Sequence, residues 1–222
     1  MMSREVEQRD FSIRGFLHRP AQPSGNALVL THGAGANCRA PLLEAVASTF
    51  AEAGFTVLRC DLPFRQKRPH GPPSRGSARE DREGLRRAVE VLGKPGRLFL
   101  AGHSYGGRQA TILAASEPAL VEGLLLFSYP LHPPRQPSEL RTSHFPHLRT
   151  RALFVHGSCD PFGSLEEIDC ARKLIPAPTS LLAIEGAGHD LSLGQKSESS
   201  AIGLFRRSLA QRSLDAFLAF FG

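Results

Sequence analysis

The chain has 222 residues and a mass of 24.1 kDa, 41% hydrophobic and 22% charged, an ordinary globular composition long enough for one sizeable core and read as one domain over residues 1–222. Its net charge of +6 and pI of 9.6 raise a nucleic-acid partner, since Arg65, Lys67, Arg68, Arg75, Arg79, Arg82, Arg86 and Arg87 fall in one region. Glu80, Asp81, Glu83 and Glu90 are interleaved there without aromatic residues to stack on bases, so a solvated helix face is expected instead, with no nucleic-acid partner and a bias toward acidic small molecules.

In chain order, Phe11 to His18 reads as an early strand and Ala27 to Thr31 as the first buried one. Pro41 to Ala53 reads as a helix with proline in its first turn, ended by Gly54, and Phe55 to Cys60 returns as a strand. The spacing then predicts a helix over Ser77–Leu92, a strand over Leu98–Ala101, a helix over Gly106–Ser116 and a strand over Gly123–Phe127. Ala152–Val155, Leu165–Leu174, Ser180–Ile184 and Ser200–Phe220 follow as strand, helix, strand and closing helix. Ile202, Phe205, Leu209, Ala216 and Phe220 give the last helix a stripe that packs on a sheet, a reading preferred to a membrane-surface helix. This alternation predicts an α/β fold: a three-layer α/β/α sandwich on a mainly parallel, doubly wound sheet.

Pro63–Gly76 and Leu131–Arg149 lack periodicity and are expected as ordered loops over the functional edge of the sheet. The second holds some twenty Pro-rich residues, too few for a helical cap domain, so the site is expected to be open or shallow. Arg65, Arg68 and Arg135 in these loops are the candidate contacts to a carboxylate or phosphate. No apolar run is long enough to span a bilayer, the nearest, Leu214–Phe221, being short and broken by Asp215. Cys38, Cys60, Cys159 and Cys170 show no C-x-x-C spacing and the chain opens on the polar Met1–Asp10, so reduced thiols and a cytoplasmic location are expected.

Gly102-His103-Ser104-Tyr105-Gly106 spells G-x-S-x-G between a strand and a helix. The glycines suit a cramped turn that lifts the serine Oγ clear of the sheet, and the helix N-terminus favours negative charge beside it. A hydroxyl needs a base to take its proton and an acid to orient that base. Asp160, after a late strand and a Gly/Ser loop, and His189, after Ile184 and the glycine-rich Glu185–Gly188, stand in the required chain order. Asp190 adjoins the base and Asp169 lies inside a predicted helix, so both are read as structural. Thr31–Asn37, with small residues after the first buried strand, supplies the oxyanion loop: Ala34 or Gly35 donates one bond and Tyr105 the other. His32 and His103 are read as structural hydrogen-bonders, and neither metal-ligand spacing nor a phosphate loop is present, so no cofactor is expected.

Together HGAGAN, GHSYGG, DPFG and GAGHD resemble the α/β-hydrolase superfamily over nearly the whole chain. Ser128–Pro134 and Phe64–Pro69 are similar to segments of its small dienelactone-hydrolase-like branch, which has no cap domain. The elbow carries Ser104 where a dienelactone hydrolase proper carries cysteine, so the resemblance implies a serine hydrolase without a settled substrate. The expected activity is hydrolysis of short carboxylic esters or thioesters through Ser104, His189 and Asp160 and an acyl-enzyme, in a monomer or homodimer with a small-molecule acyl substrate. Sequence leaves amide cleavage and acyl transfer open as variants, and a binding or scaffold subunit that kept the fold without turnover as the alternative.

Overall fold

A computed structural model describes residues 4–10, 13–74, 76–93, 95–193 and 199–222. Its strands are β1 (Arg4–Asp10), β2 (Ile13–Arg19), β3 (Asn26–Thr31), β4 (Thr56–Cys60), β5 (Arg97–His103), β6 (Gly123–Phe127), β7 (Arg151–Gly157) and β8 (Thr179–Ile184). The helices are α1 (Pro41–Glu52), α2 (Pro63–Lys67), α3 (Ser77–Val91), α4 (Tyr105–Ser116), α5 (Leu165–Arg172) and α6 (Ser199–Phe221). One eight-stranded sheet runs β1-β2-β4-β3-β5-β6-β7-β8. From β4 to β8 all neighbours are parallel, while β2 pairs antiparallel with both β1 and β4.

Side chains alternate across the sheet, so each central strand feeds two apolar layers. Val29, Leu100, Leu124, Leu126 and Phe154 face the side where α3 and α4 add Leu85, Ala88, Ala110 and Leu113. Leu28, Leu30, Phe99, Leu125, Phe127 and Val155 face the other, where α1 and α6 add Val46, Phe50, Phe217 and Phe221. Phe99 meets Phe217 with ring centroids 4.8 Å apart and Phe221 at 5.2 Å, both edge-on, which anchors α6 under the centre of the sheet. The three-layer α/β/α reading therefore describes the molecule. Among the described residues no helix is long and apolar enough to cross a membrane.

Most predicted elements lie within two residues of the observed ones, and three differences have physical causes. Strand β1 falls on Arg-Glu-Val-Glu-Gln-Arg-Asp, which has no apolar alternation; its conformation is set by pairing from Arg4↔Arg19 to Asp10↔Ile13 at the sheet edge. Residues 11 and 12 of the expected early strand lie outside the described residues, and the remainder is β2. Pro63–Lys67, expected as loop, is the short helix α2: Pro63 takes the first helical position, where no amide hydrogen is needed. In Leu131–Arg149 the regular structure is a 3₁₀ turn at Phe145–His147, and no cap domain stands between β6 and β7.

The parallel strands all point their carboxyl ends to one edge, so the loops after β3, β5, β7 and β8 converge there. Those loops carry residues 32–37, Ser104, Asp160 and His189.

Candidate active site

Ser104 sits between β5 and α4 at φ 50° and ψ −117°, a left-sided conformation that L residues seldom adopt. The flanking glycines make it attainable. A Cβ on Gly102 would lie 2.5 Å from the Gly107 nitrogen, and one on Gly106 would lie 2.5 Å from the His32 carbonyl oxygen. Close packing of the strand, the turn at Ser104 and the loop after β3 is thus what selects glycine at both positions.

Ser104 Oγ lies 2.8 Å from His189 Nε2. On the opposite side of the ring, His189 Nδ1 lies 3.0 Å and 2.8 Å from the carboxylate oxygens of Asp160. Asp160 is 6% exposed, and its Oδ1 also accepts from the Phe162 amide at 2.8 Å, which fixes the carboxylate plane. The Phe162 ring lies over His189 with centroids 4.1 Å apart and an interplanar angle of 32°, covering one face of the imidazole. With Nδ1 donating to a carboxylate, Nε2 carries a lone pair toward the serine hydroxyl, the arrangement a general base requires. The rival acids point elsewhere: Asp190 accepts from Ser192, and Asp169 pairs with Arg172 and Lys173.

Two further histidines hold this geometry, and the sequence had marked both as structural. His103 Nε2 donates to the His189 carbonyl at 2.9 Å, tying the turn at Ser104 to the loop that carries His189, and burial pushes its pKa down to about 4. His32 Nδ1 donates to the Gly33 carbonyl at 2.8 Å and its Nε2 accepts from the Leu62 amide at 3.1 Å. Burial likewise lowers the pKa of His32 and His156, and pushes that of His144 to about 4. An unfolded histidine takes its proton near 6.5, so between there and about 4 unfolding takes up protons that the folded chain excludes. Stability is therefore expected to be full above pH 7 and to fall as pH drops through 6.5 toward 4; urea unfolding at stepped pH checks it, and a flat profile contradicts it.

Ala34 and Gly35 are the central residues of a turn closed by the Ala36 amide on the Gly33 carbonyl at 3.2 Å, which leaves their own N–H groups unused by the turn. Tyr105 opens α4, so its N–H has no intrahelical acceptor. The Tyr105 hydroxyl donates to Asp81 Oδ2 at 2.7 Å, and Asp81 Oδ1 accepts from the Phe64 amide at 3.0 Å. Burial raises the Asp81 pKa, and Asp81, 0% exposed, anchors the residue after Ser104 to α3 and α2. Nothing in the sequence distinguished Asp81 from the surface charges around it.

The three arginines expected to contact substrate do not face this site. Arg65 is 2% exposed and is consumed by backbone: Nε donates to Ala36 O at 2.7 Å, Nη1 to Arg68 O at 3.1 Å, and Nη2 to Ala34 O at 2.7 Å and Gly71 O at 3.0 Å. It is a bracket beneath the turn from Gly33 to Ala36. Arg68 and Arg135 are exposed and lie outside the cleft wall. The cleft of about 560 Å³ beside Ser104 instead takes Arg108 from α4 and Arg141 from the loop after β6, together with Pro72, Pro73, Pro130 and Phe162. Sequence reasoning missed both arginines; the available signal was Arg108 at the fourth position after Ser104, one turn along the helix that Ser104 caps.

A sequence model of the alpha/beta hydrolase domain matches residues 24–217. Among solved structures, the chain is similar to a dienelactone hydrolase from Anabaena variabilis, at 19% identity and TM-score 0.75 over 100% of both chains. It is also similar to an alpha-beta serine hydrolase homologue from Coxiella burnetii, at 18% identity and TM-score 0.68 over 96% of this chain and 98% of that one. A lidless serine hydrolase from Xanthomonas campestris matches at 14% identity and TM-score 0.67 over 98% and 95%.

Proposed function

The chain belongs to the alpha/beta hydrolase family, and on that premise we propose that it is a serine hydrolase of short carboxylic esters or thioesters, acting through Ser104, His189 and Asp160. The observation that carries this reading is the continuous chain of contacts, 2.8 Å from Ser104 Oγ to His189 Nε2 and 2.8 Å from His189 Nδ1 to Asp160 Oδ2, opening on a cleft. His189 takes the Ser104 proton as Oγ attacks the acyl carbonyl, and Asp160 stabilises the imidazolium so formed. The oxyanion is met by the Tyr105 N–H and that of Ala34 or Gly35, donors already fixed in place, which is where several kcal/mol of barrier lowering arises. His189 then returns the proton to the leaving oxygen or sulfur, water enters, and the same base activates it against the acyl-enzyme.

The absence of a cap between β6 and β7 supports small or protruding substrates, because among the described residues no second layer covers the cleft. A fluorophosphonate, which needs an activated serine, tests the assignment. Stoichiometric modification located at Ser104 by peptide mass is expected, together with hydrolysis of a para-nitrophenyl acyl ester. A folded protein left unlabelled at Ser104, or labelled at another serine, would overturn the assignment.

A further inference from the structure

Among the described residues the cleft beside Ser104 has two guanidinium groups in its wall and no carboxylate: its lining includes Arg108 and Arg141, while the other described residues are neutral small, proline, aromatic or histidine side chains. Both arginines are half-buried, and neither forms an ion pair among the described residues. Arg108 Nε is fully buried without a hydrogen-bond partner, and Arg141 has a single long contact, from Nη1 to the Pro130 carbonyl at 3.4 Å. Burial and the neighbouring Arg108 charge hold the Arg141 pKa below its ordinary value, outweighing the opposite pull of Tyr129 and of Glu139, which is outside the cleft wall. Arg86 and Arg172, also half-buried, are by contrast neutralised by Glu117 and Asp169. Two like charges drawn into one partly desolvated wall are unfavourable unless an anion completes them.

The position of the pair bears on the chemistry. The Arg108 amide donates to the Ser104 carbonyl at 3.0 Å, so Arg108 stands about one helical turn beyond the nucleophile, about 6 Å along the axis. Pro72, Pro73 and Phe162 line the same cleft as apolar surface for an aliphatic spacer. Resting on the hydrolase reading above, we propose that Arg108 and Arg141 form an anion subsite, and that the substrates are esters or thioesters bearing a second anionic group, carboxylate or phosphate, a few carbon atoms from the scissile carbonyl. Planar guanidinium forks present paired donors to either anion, which an uncharged acyl chain leaves unused.

Two substrates of equal carbon count separate the charge from the chain: mono-para-nitrophenyl glutarate and para-nitrophenyl pentanoate. The wild-type protein is expected to favour the glutarate ester in kcat/KM by about tenfold or more, mainly through KM, with the preference shrinking as salt rises. In Arg108→Gln and Arg141→Gln the ratio is expected to fall toward one, and Arg141→Lys to retain part of it. A ratio at or below one in the wild type, or one unchanged in both glutamine variants with folded circular-dichroism spectra, overturns the subsite. Calorimetric titration of Ser104→Ala with glutarate and with inorganic phosphate reads the subsite without turnover and separates the two anions, and binding of neither anion also overturns it. Anion binding with no ester hydrolysed counts against the hydrolase reading alone, whereas hydrolysis of both esters at equal rates counts against the subsite alone.

Discussion

Asp160→Asn is expected to lower kcat/KM for a simple acyl ester by on the order of 10⁴-fold while the protein remains folded. The size follows from a tautomer, and the local contacts decide which one. Asp160 Oδ1 accepts from the Phe162 amide at 2.8 Å, so an asparagine keeps its carbonyl oxygen on that donor and turns its amide nitrogen to the place of Oδ2. That place lies 2.8 Å from His189 Nδ1. The NH₂ group then donates to Nδ1, the imidazole carries its proton on Nε2, and the lone pair facing Ser104 Oγ is lost. A 10⁴-fold loss corresponds to about 5.5 kcal/mol of transition-state stabilisation. Since the substitution is isosteric and the Phe162 contact persists, the unfolding midpoint in urea changes little. Steady-state kinetics beside a urea melt check this, and activity within tenfold of the wild type would transfer the acid role to another residue.

The fold was legible in the sequence wherever side-chain period and turn chemistry coincide. Val29 and Leu100 alternating with Leu28, Leu30 and Phe99 mark buried parallel strands, and Gly54 and Pro41 mark helix ends, because these residues act through their own backbone and nearest neighbours. The residues of the candidate triad were legible for a related reason: each stands in a glycine-rich loop directly after a strand, so order along the chain is order along the sheet edge. Contacts that close over long separations were not. The partners of Arg65 are carbonyls, one of them 31 positions away, and a carbonyl leaves no trace in sequence, so a buried bracket read as a candidate contact to a substrate anion. Asp81, 24 positions from Tyr105, failed for the same reason. β1 was missed because strand pairing at an edge, rather than burial of alternate residues, specifies it.

Arg65→Met is expected to reduce unfolding free energy by about 3 to 5 kcal/mol and to lower turnover as well. Methionine keeps an apolar stem but lacks the guanidinium, so the loss combines the four hydrogen bonds with the space that the guanidinium filled. Four backbone carbonyls lose their donor: those of Ala34, Ala36, Arg68 and Gly71. A buried acceptor left unsatisfied costs about 1 to 3 kcal/mol, and the carbonyls of residues nearest the surface recover part of that from water. Against a typical total of about 5 to 15 kcal/mol this is a large fraction. The kinetic effect comes from the same bonds. A peptide unit is planar, so fixing the Ala34 carbonyl also fixes the direction of the Gly35 N–H, and fixing the Ala36 carbonyl holds the far end of the turn. Without Arg65 the turn closed by Gly33 and Ala36 samples other peptide orientations, and oxyanion donors that must reorganise during the reaction lose much of their value. Arg65→Lys keeps the charge but reaches fewer of the carbonyls, since one ammonium cannot span a fork whose Nε and Nη2 serve Ala36 and Ala34 at 2.7 Å each. Urea unfolding at constant slope and kcat for a para-nitrophenyl ester measure the two effects. A methionine variant within 1 kcal/mol of the wild type would leave Arg65 without the bracing role its contacts describe.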